Sequence, residues 1–165
     1  MRATIWFAGI LLIPGCARSR SLAEGDQVAI YSAVIHDFTG RKDIVLDPVV
    51  LAPVEERLSD RPLPTANQPS AVMSALKAQN LVIGVCRPIQ VQGHQGCQGD
   101  PAPVAIALSA IKPAAERAAK VSILWHSVCT RAEPLCIGFA VEYEYTVQRV
   151  GAGWTILNKH RTMIT

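Results

Sequence analysis

The feature that most constrains this chain is the alternation of residues 137–148. Ile137, Phe139, Val141, Tyr143, Tyr145 and Val147 fall on one side, and Gly138, Ala140, Glu142, Glu144, Thr146 and Gln148 on the other. Successive side chains of a strand point to opposite faces, so this period of two predicts a sheet with one buried and one wet face. KVSILWHSVCT at 120–130 precedes it and GWTILNKHRTMIT at 153–165 follows it, each readable as a further strand. Val150-Gly151-Ala152-Gly153 supplies the glycines that a tight hairpin needs where the backbone takes positive φ.

The first half reads differently. Val28, Tyr31, Ile35 and Phe38 recur at helical spacing, with Ile30 and Val34 widening the apolar face, so a helix is predicted over 26–38. Gly25-Asp26 offers its cap and Gly40 its stop. His36 and Asp37 fall on its polar edge, point in different directions and read as solvated. Residues 44–51 form a β-branched run broken by Pro48, hence an edge strand or two short pieces. Residues 52–69, with Pro53, Pro62, Pro64 and Pro69, read as a surface loop. Ser70 is placed to cap a short helix over 71–79 that turns Val72, Met73 and Leu76 to the core. A strand over 81–91, interrupted by Pro88, leads into the glycine-rich QVQGHQGCQGDP. That stretch lacks G-x-x-x-x-G-K-[ST] and reads as a hairpin loop rather than a phosphate cradle. Val104, Ile106 and Leu108 alternate with Ala105, Ala107 and Ser109 as a half-buried strand. Residues 112–120 read as a connector with one helical turn. Helices first and strands after predict an α+β fold, with N-terminal helices packed on a twisted, mainly antiparallel sheet of about 4–6 strands.

The start of the chain reads as an address. Met1-Arg2 is a minimal positive end, residues 3–13 are uncharged and mostly apolar, and Arg18-Ser19-Arg20-Ser21 closes the segment. The apolar run is too short to span a bilayer and fits a secretory signal peptide. Ile13-Pro14-Gly15-Cys16 resembles the bacterial lipoprotein signal, in which cleavage precedes a cysteine that becomes lipidated; cleavage after Ala17 is the alternative. The division is thus a signal peptide at 1–20 and one domain at 21–165, exported to the periplasm, the medium or a lipid-anchored position in the envelope. Membrane attachment is expected only through a lipidated Cys16.

Cys86, Cys97, Cys129 and Cys136 remain after the leader. Two close pairs in an exported chain read as two disulfides, Cys86–Cys97 and Cys129–Cys136. Cys86, His94 and Cys97 lie close enough in sequence to be metal ligands, but there is no C-x-x-C, and an oxidising compartment favours bridges. No metal or cofactor is expected. The formal net charge of +3 is scattered, with no basic stripe interleaved with aromatics, so nucleic acid is excluded as a partner.

The ending YEYTVQRVGAGWTILNKHRTMI resembles the last hairpin of ketosteroid-isomerase-like, cystatin-like α+β domains, and is similar to small exported bacterial proteins of unassigned function. The resemblance implies a cystatin-like fold with a pocket between the first helix and the sheet. Tyr31, Ile35, Phe139 and Tyr143 would line it. Enzymatic members carry an acid there, but no motif in this chain places that role. His126 and His160 read as surface or sheet-face histidines. Glu142 and Glu144, on one face and roughly 7 Å apart, are a pair able to flank a substrate or a cation, or simply a solvated face. G-x-S-x-G, H-E-x-x-H, Rossmann and P-loop signatures are absent. The chain therefore reads as a non-catalytic module that binds a small ligand or another protein. The alternative is a ketosteroid-isomerase-like enzyme.

Overall fold

The structure is a computed structural model that describes residues 22–40, 43–53, 66–91, 94–98, 104–128 and 140–164. Residues 1–21 with Cys16, the cysteines Cys129 and Cys136, and Phe139 lie outside these residues.

Helices α1 (Glu24–Phe38) and α2 (Ser70–Ala78) pack on one face of a mixed sheet. The strands are β1 (Ile44–Leu46), β2 (Gly84–Val85), β3 (Arg87–Val91), β4 (His94–Gln98), β5 (Val104–Leu108), β6 (Lys112–Ala115), β7 (Ala118–Ser127), β8 (Ala140–Val150) and β9 (Gly153–Ile164). The main sheet runs β2-β1-β5-β7-β8-β9. β6 pairs with the start of β7, beyond the stretch that β5 occupies. β3 and β4 form a separate antiparallel hairpin. The chain is thus α+β, with a sheet that is mostly antiparallel but parallel where β1 meets β2 and β5.

Ile30, Val34 and Ile35 of α1 and Val72 and Leu76 of α2 are buried in one cluster with Leu46, Ile106, Val121 and Ile123. Each such aliphatic side chain, fully buried, contributes about 2 kcal/mol. α1 begins earlier than expected. Ala23 occupies the cap position and makes no side-chain bond, while Asp26 lies inside the first turn. α2 likewise starts at Ser70, with Pro69 before it, so Ser70 is a helical residue and not the cap. Its other end closes through Asn80 at φ +56°, with Asn80 N–H on Lys77 O at 2.9 Å and Leu81 N–H on Leu76 O at 3.1 Å. These two bonds satisfy the last carbonyls in the Schellman pattern.

Four expectations are corrected. Residues 44–46 are not at an edge. β1 is paired on both sides, and Ile44, Val45 and Leu46 are all buried. Pro48 is tolerated because it falls after the last ladder residue. There the chain loops out, held by Gln68 N–H on Pro48 O and Val50 N–H on Ala66 O, both 2.7 Å, and it rejoins β5 at Leu51. The strand over 81–91 divides at Cys86, β2 joining the main sheet and β3 the hairpin. The segment over 112–120 is a β-hairpin rather than a helical turn, with Pro113 in an exposed strand. Such a strand end tolerates a residue that cannot donate. Finally, β5 is buried along its whole length instead of half-buried.

The β8–β9 hairpin forms as expected, with Gly151 at φ +60° in a two-residue loop between the paired Val150 and Gly153. Tyr145 and Val147 face the helices and are fully buried. The opposite face is not uniformly wet: Glu142 is only 1% exposed.

Candidate functional site

The register across β5, β7 and β8 decides which polar groups meet. Ala105 pairs with His126, Ser122 with Glu144, and Leu124 with Glu142, so these side chains share the face away from the helices. Among the described residues, two polar groupings stand on that face, one near each end of β7.

At the end where β7 begins there is a pocket of about 410 Å³. Val50, Leu51, Pro53 and Ala66 give it apolar walls, and Ser122, Glu142, Glu144 and Lys120 bring polar groups into its lining. Lys120 Nζ donates to Glu144 Oε1 at 2.8 Å at the exposed side. Ser109 Oγ accepts from the Ser122 amide at 2.8 Å, fixing one rim. The two glutamates of the sequence therefore share a face as expected but not an environment, Glu144 being partly exposed and ion-paired and Glu142 buried.

At the other end, His126 Nε2 lies 3.7 Å from Asp47 Oδ2. Asp47 Oδ1 accepts from the Val49 amide at 2.9 Å, and His126 Nδ1 meets the Ser127 carbonyl at 3.1 Å. Burial is the largest influence on both groups. It pushes the Asp47 carboxyl up and the His126 imidazole down, while their mutual attraction works against each shift. Beside them lies the Cys86–Cys97 disulfide, Cα–Cα 5.7 Å, which closes the β3–β4 hairpin over the sheet. Cys86, Cys97, Val45, Ala105 and Val128 form a small second core there. Cys97 Sγ, a His126 ring nitrogen and an Asp47 oxygen all lie within 4.8 Å of one another. In this oxidised form a Cys86–His94–Cys97 metal site lacks its two thiolates.

The pocket-lining residues expected between the first helix and the sheet lie elsewhere. Tyr31 and Ile35 are core side chains, 2% and 1% exposed. The Tyr31 hydroxyl donates to Ser109 O at 2.8 Å, and burial pushes it up to about 12. Tyr143 is half-buried, its ring edge-on to Phe38 at 5.7 Å. None of these three lines the 410 Å³ pocket, and Phe139 lies outside the described residues. His160 is exposed, opposite Glu144 on β9.

Asp37, read from sequence as a solvated edge, instead accepts from the buried Tyr145 hydroxyl and from Lys159 Nζ, both at 3.0 Å. Lys159 Nζ stands 4.8 Å, 5.3 Å and 5.8 Å from the ring centroids of Tyr143, Tyr145 and Phe38, within cation–π range. Asp26 accepts from Trp154 Nε1 at 3.1 Å and Arg149 at 3.2 Å. Both ends of α1 are thus tied to the β8–β9 hairpin by aspartates.

Sequence reasoning missed Asp47 altogether. Its signal was a lone carboxylate directly after the apolar Ile44-Val45-Leu46, where burial of a charge requires a partner. Compared with known proteins, the chain matches no family model, no curated protein and no solved structure at a significant level.

Proposed function

We propose that this protein is an exported, non-catalytic module that binds a small amphiphilic molecule in the pocket on the sheet face turned away from the helices. The observation that carries the reading is the pocket itself. Its volume of about 410 Å³ falls in the range of small-molecule sites, and its apolar walls converge with buried Glu142 and the Glu144–Lys120 pair. Such a lining suits an apolar body bearing a hydrogen-bonding or cationic group. The Cys86–Cys97 bridge supports export, because disulfides persist in oxidising compartments. The ketosteroid-isomerase-type alternative needs a cavity between α1 and the sheet. That space is filled by Ile30, Tyr31, Val34 and Ile35 against Val121, Ile123 and Tyr145, which is why binding is preferred here.

A native mass spectrum of the protein isolated from its own cells tests the reading. A small-molecule adduct that is lost on denaturation, and that is absent from an Ala110→Trp variant, is expected. Ala110 lines the pocket and is exposed, so the indole fills the space without entering the core. The bare processed mass in both proteins overturns binding. The same spectrum reports whether residues 1–20 are gone and whether Cys16 carries lipid.

A further inference from the structure

The geometry points to a redox-gated zinc site at the end of β7 away from the pocket. In it Cys97, His126, Asp47 and, once freed, Cys86 together bind one divalent metal ion after the disulfide is reduced.

His126 and Asp47 are already set for a metal. The Ser127 carbonyl only accepts hydrogen bonds, so the contact at 3.1 Å places the imidazole proton on Nδ1 and leaves the Nε2 lone pair facing inward. Asp47 Oδ1 is taken by the Val49 amide, so the oxygen opposite Nε2 is Oδ2. A carbonyl behind the histidine and an amide behind the carboxylate are the outer partners that orient metal ligands. The separation between Nε2 and Oδ2, 3.7 Å, is too long for a hydrogen bond. It lies near the spacing of about 3.3–3.8 Å between ligand atoms around tetrahedral zinc, given metal–ligand bonds of about 2.0–2.3 Å. Cys97 Sγ belongs to the same cluster, within 4.8 Å of the other two donors, and the bridge holds Cys86 Sγ beside it.

The disulfide is the gate because a bridged sulfur is a poor ligand and a thiolate a strong one. A dithiol reductant supplies two electrons and two protons to the Cys86–Cys97 bond, itself closing to a disulfide and leaving two thiols. Zinc binding then releases the two thiol protons and gives an S₂NO donor set. Cys97 and Cys86 are 0% and 4% exposed, whereas the His126 and Asp47 side chains keep 17% and 10%. The site is thus closed enough for a four-coordinate structural metal yet open at its imidazole for entry.

Co²⁺ is the probe. The full chain, with Cys16, Cys129 and Cys136 replaced by Ser, is reduced with a phosphine, desalted and titrated. One equivalent of Co²⁺ is expected to give the visible bands of tetrahedral cobalt together with a thiolate charge-transfer band, both removed by Zn²⁺. The unreduced protein should give neither. His126→Gln and Asp47→Asn should each weaken binding by about tenfold or more. If reduction loosens the fold, Zn²⁺ should restore the thermal midpoint. The proposal fails if the reduced protein shows no charge-transfer band. It fails equally if the band appears unchanged in His126→Gln and Asp47→Asn, or if Zn²⁺ leaves the midpoint of a loosened fold where it was.

Discussion

The Tyr145 hydroxyl donates to Asp37 Oδ2 at 3.0 Å, joining the fully buried middle of β8 to the last turn of α1 across 108 positions of sequence. Lys159 shares the same oxygen, so one carboxylate fixes a helix, a strand and its neighbour. Tyr145→Phe keeps the buried ring and deletes the bond. A loss of about 1 kcal/mol is expected in urea unfolding, against about 3–5 kcal/mol for Tyr145→Ala, which also leaves a cavity. Equal losses would mean that the hydroxyl, not the ring, holds the site.

Acid should loosen this clamp. The Lys159 ammonium, and after it the Tyr145 hydroxyl, hold Asp37 below the usual carboxylate range. The stabilisation is therefore present above about pH 4, the ordinary carboxylate value, and fades as the pH falls through the lower folded value. Asp37→Asn should flatten the acid limb of a plot of thermal midpoint against pH. The effect will be small, because the group is 43% exposed and screened by water. An unchanged acid limb would assign that limb to other carboxylates.

Alkali should act through Tyr31. Burial pushes its hydroxyl up to about 12 from an ordinary 10. Because the folded value lies above the unfolded one, the contribution is complete below about pH 10 and is lost as the pH climbs toward about 12. The thermal midpoint should fall between about pH 10 and about pH 12, and less so in Tyr31→Phe, which cannot ionise. Parallel curves for the two proteins would show that Tyr31 is not the sensitive group.

The turn at Gly151 gives a test of conformation free of crowding. A Cβ there meets nothing within 4 Å, but φ is +60°. Gly151→Ala should cost about 1–2 kcal/mol through left-handed strain alone, and Gly151→Asn less, since asparagine tolerates that region. A cost for Asn equal to that for Ala would contradict a purely conformational origin.

The Cys86–Cys97 bridge spans a sequence separation of 11. Replacing both cysteines by serine should cost about 2–3 kcal/mol in urea unfolding if the bridge acts by restricting the unfolded chain. A negligible change would place its value in the redox chemistry alone.

Local pattern carried the three C-terminal strands, their hairpin, both helices and the Cys86–Cys97 pairing. Alternation, helical spacing, a glycine turn and two cysteines close in sequence act through neighbours along the chain. The start of α1 lies before Asp26, whose carboxylate serves Arg149 and Trp154 instead of capping the helix, partners 123 and 128 residues away. The face of β8 expected to be wet followed the same logic: alternation assigns Glu142 to a face, but only the packing of residues 50–53 and the neighbouring strands says whether water reaches that face.

What the sequence determined by itself was the two helices, the principal strands and their order, since periodicity and turn chemistry are local; the hairpin at 112–120 and the division of the strand over 81–91 were not among them. What only the tertiary structure decided was register and company. It placed β1 inside the sheet, parallel to β5, and set Asp47 opposite His126 beside a disulfide. It opened the pocket on the face away from the helices and tied α1 down through Asp26 and Asp37. Those outcomes depend on which strands pair and on what covers each face. The contacts involved span 79 positions between Asp47 and His126 and 108 between Asp37 and Tyr145, separations at which no local pattern acts.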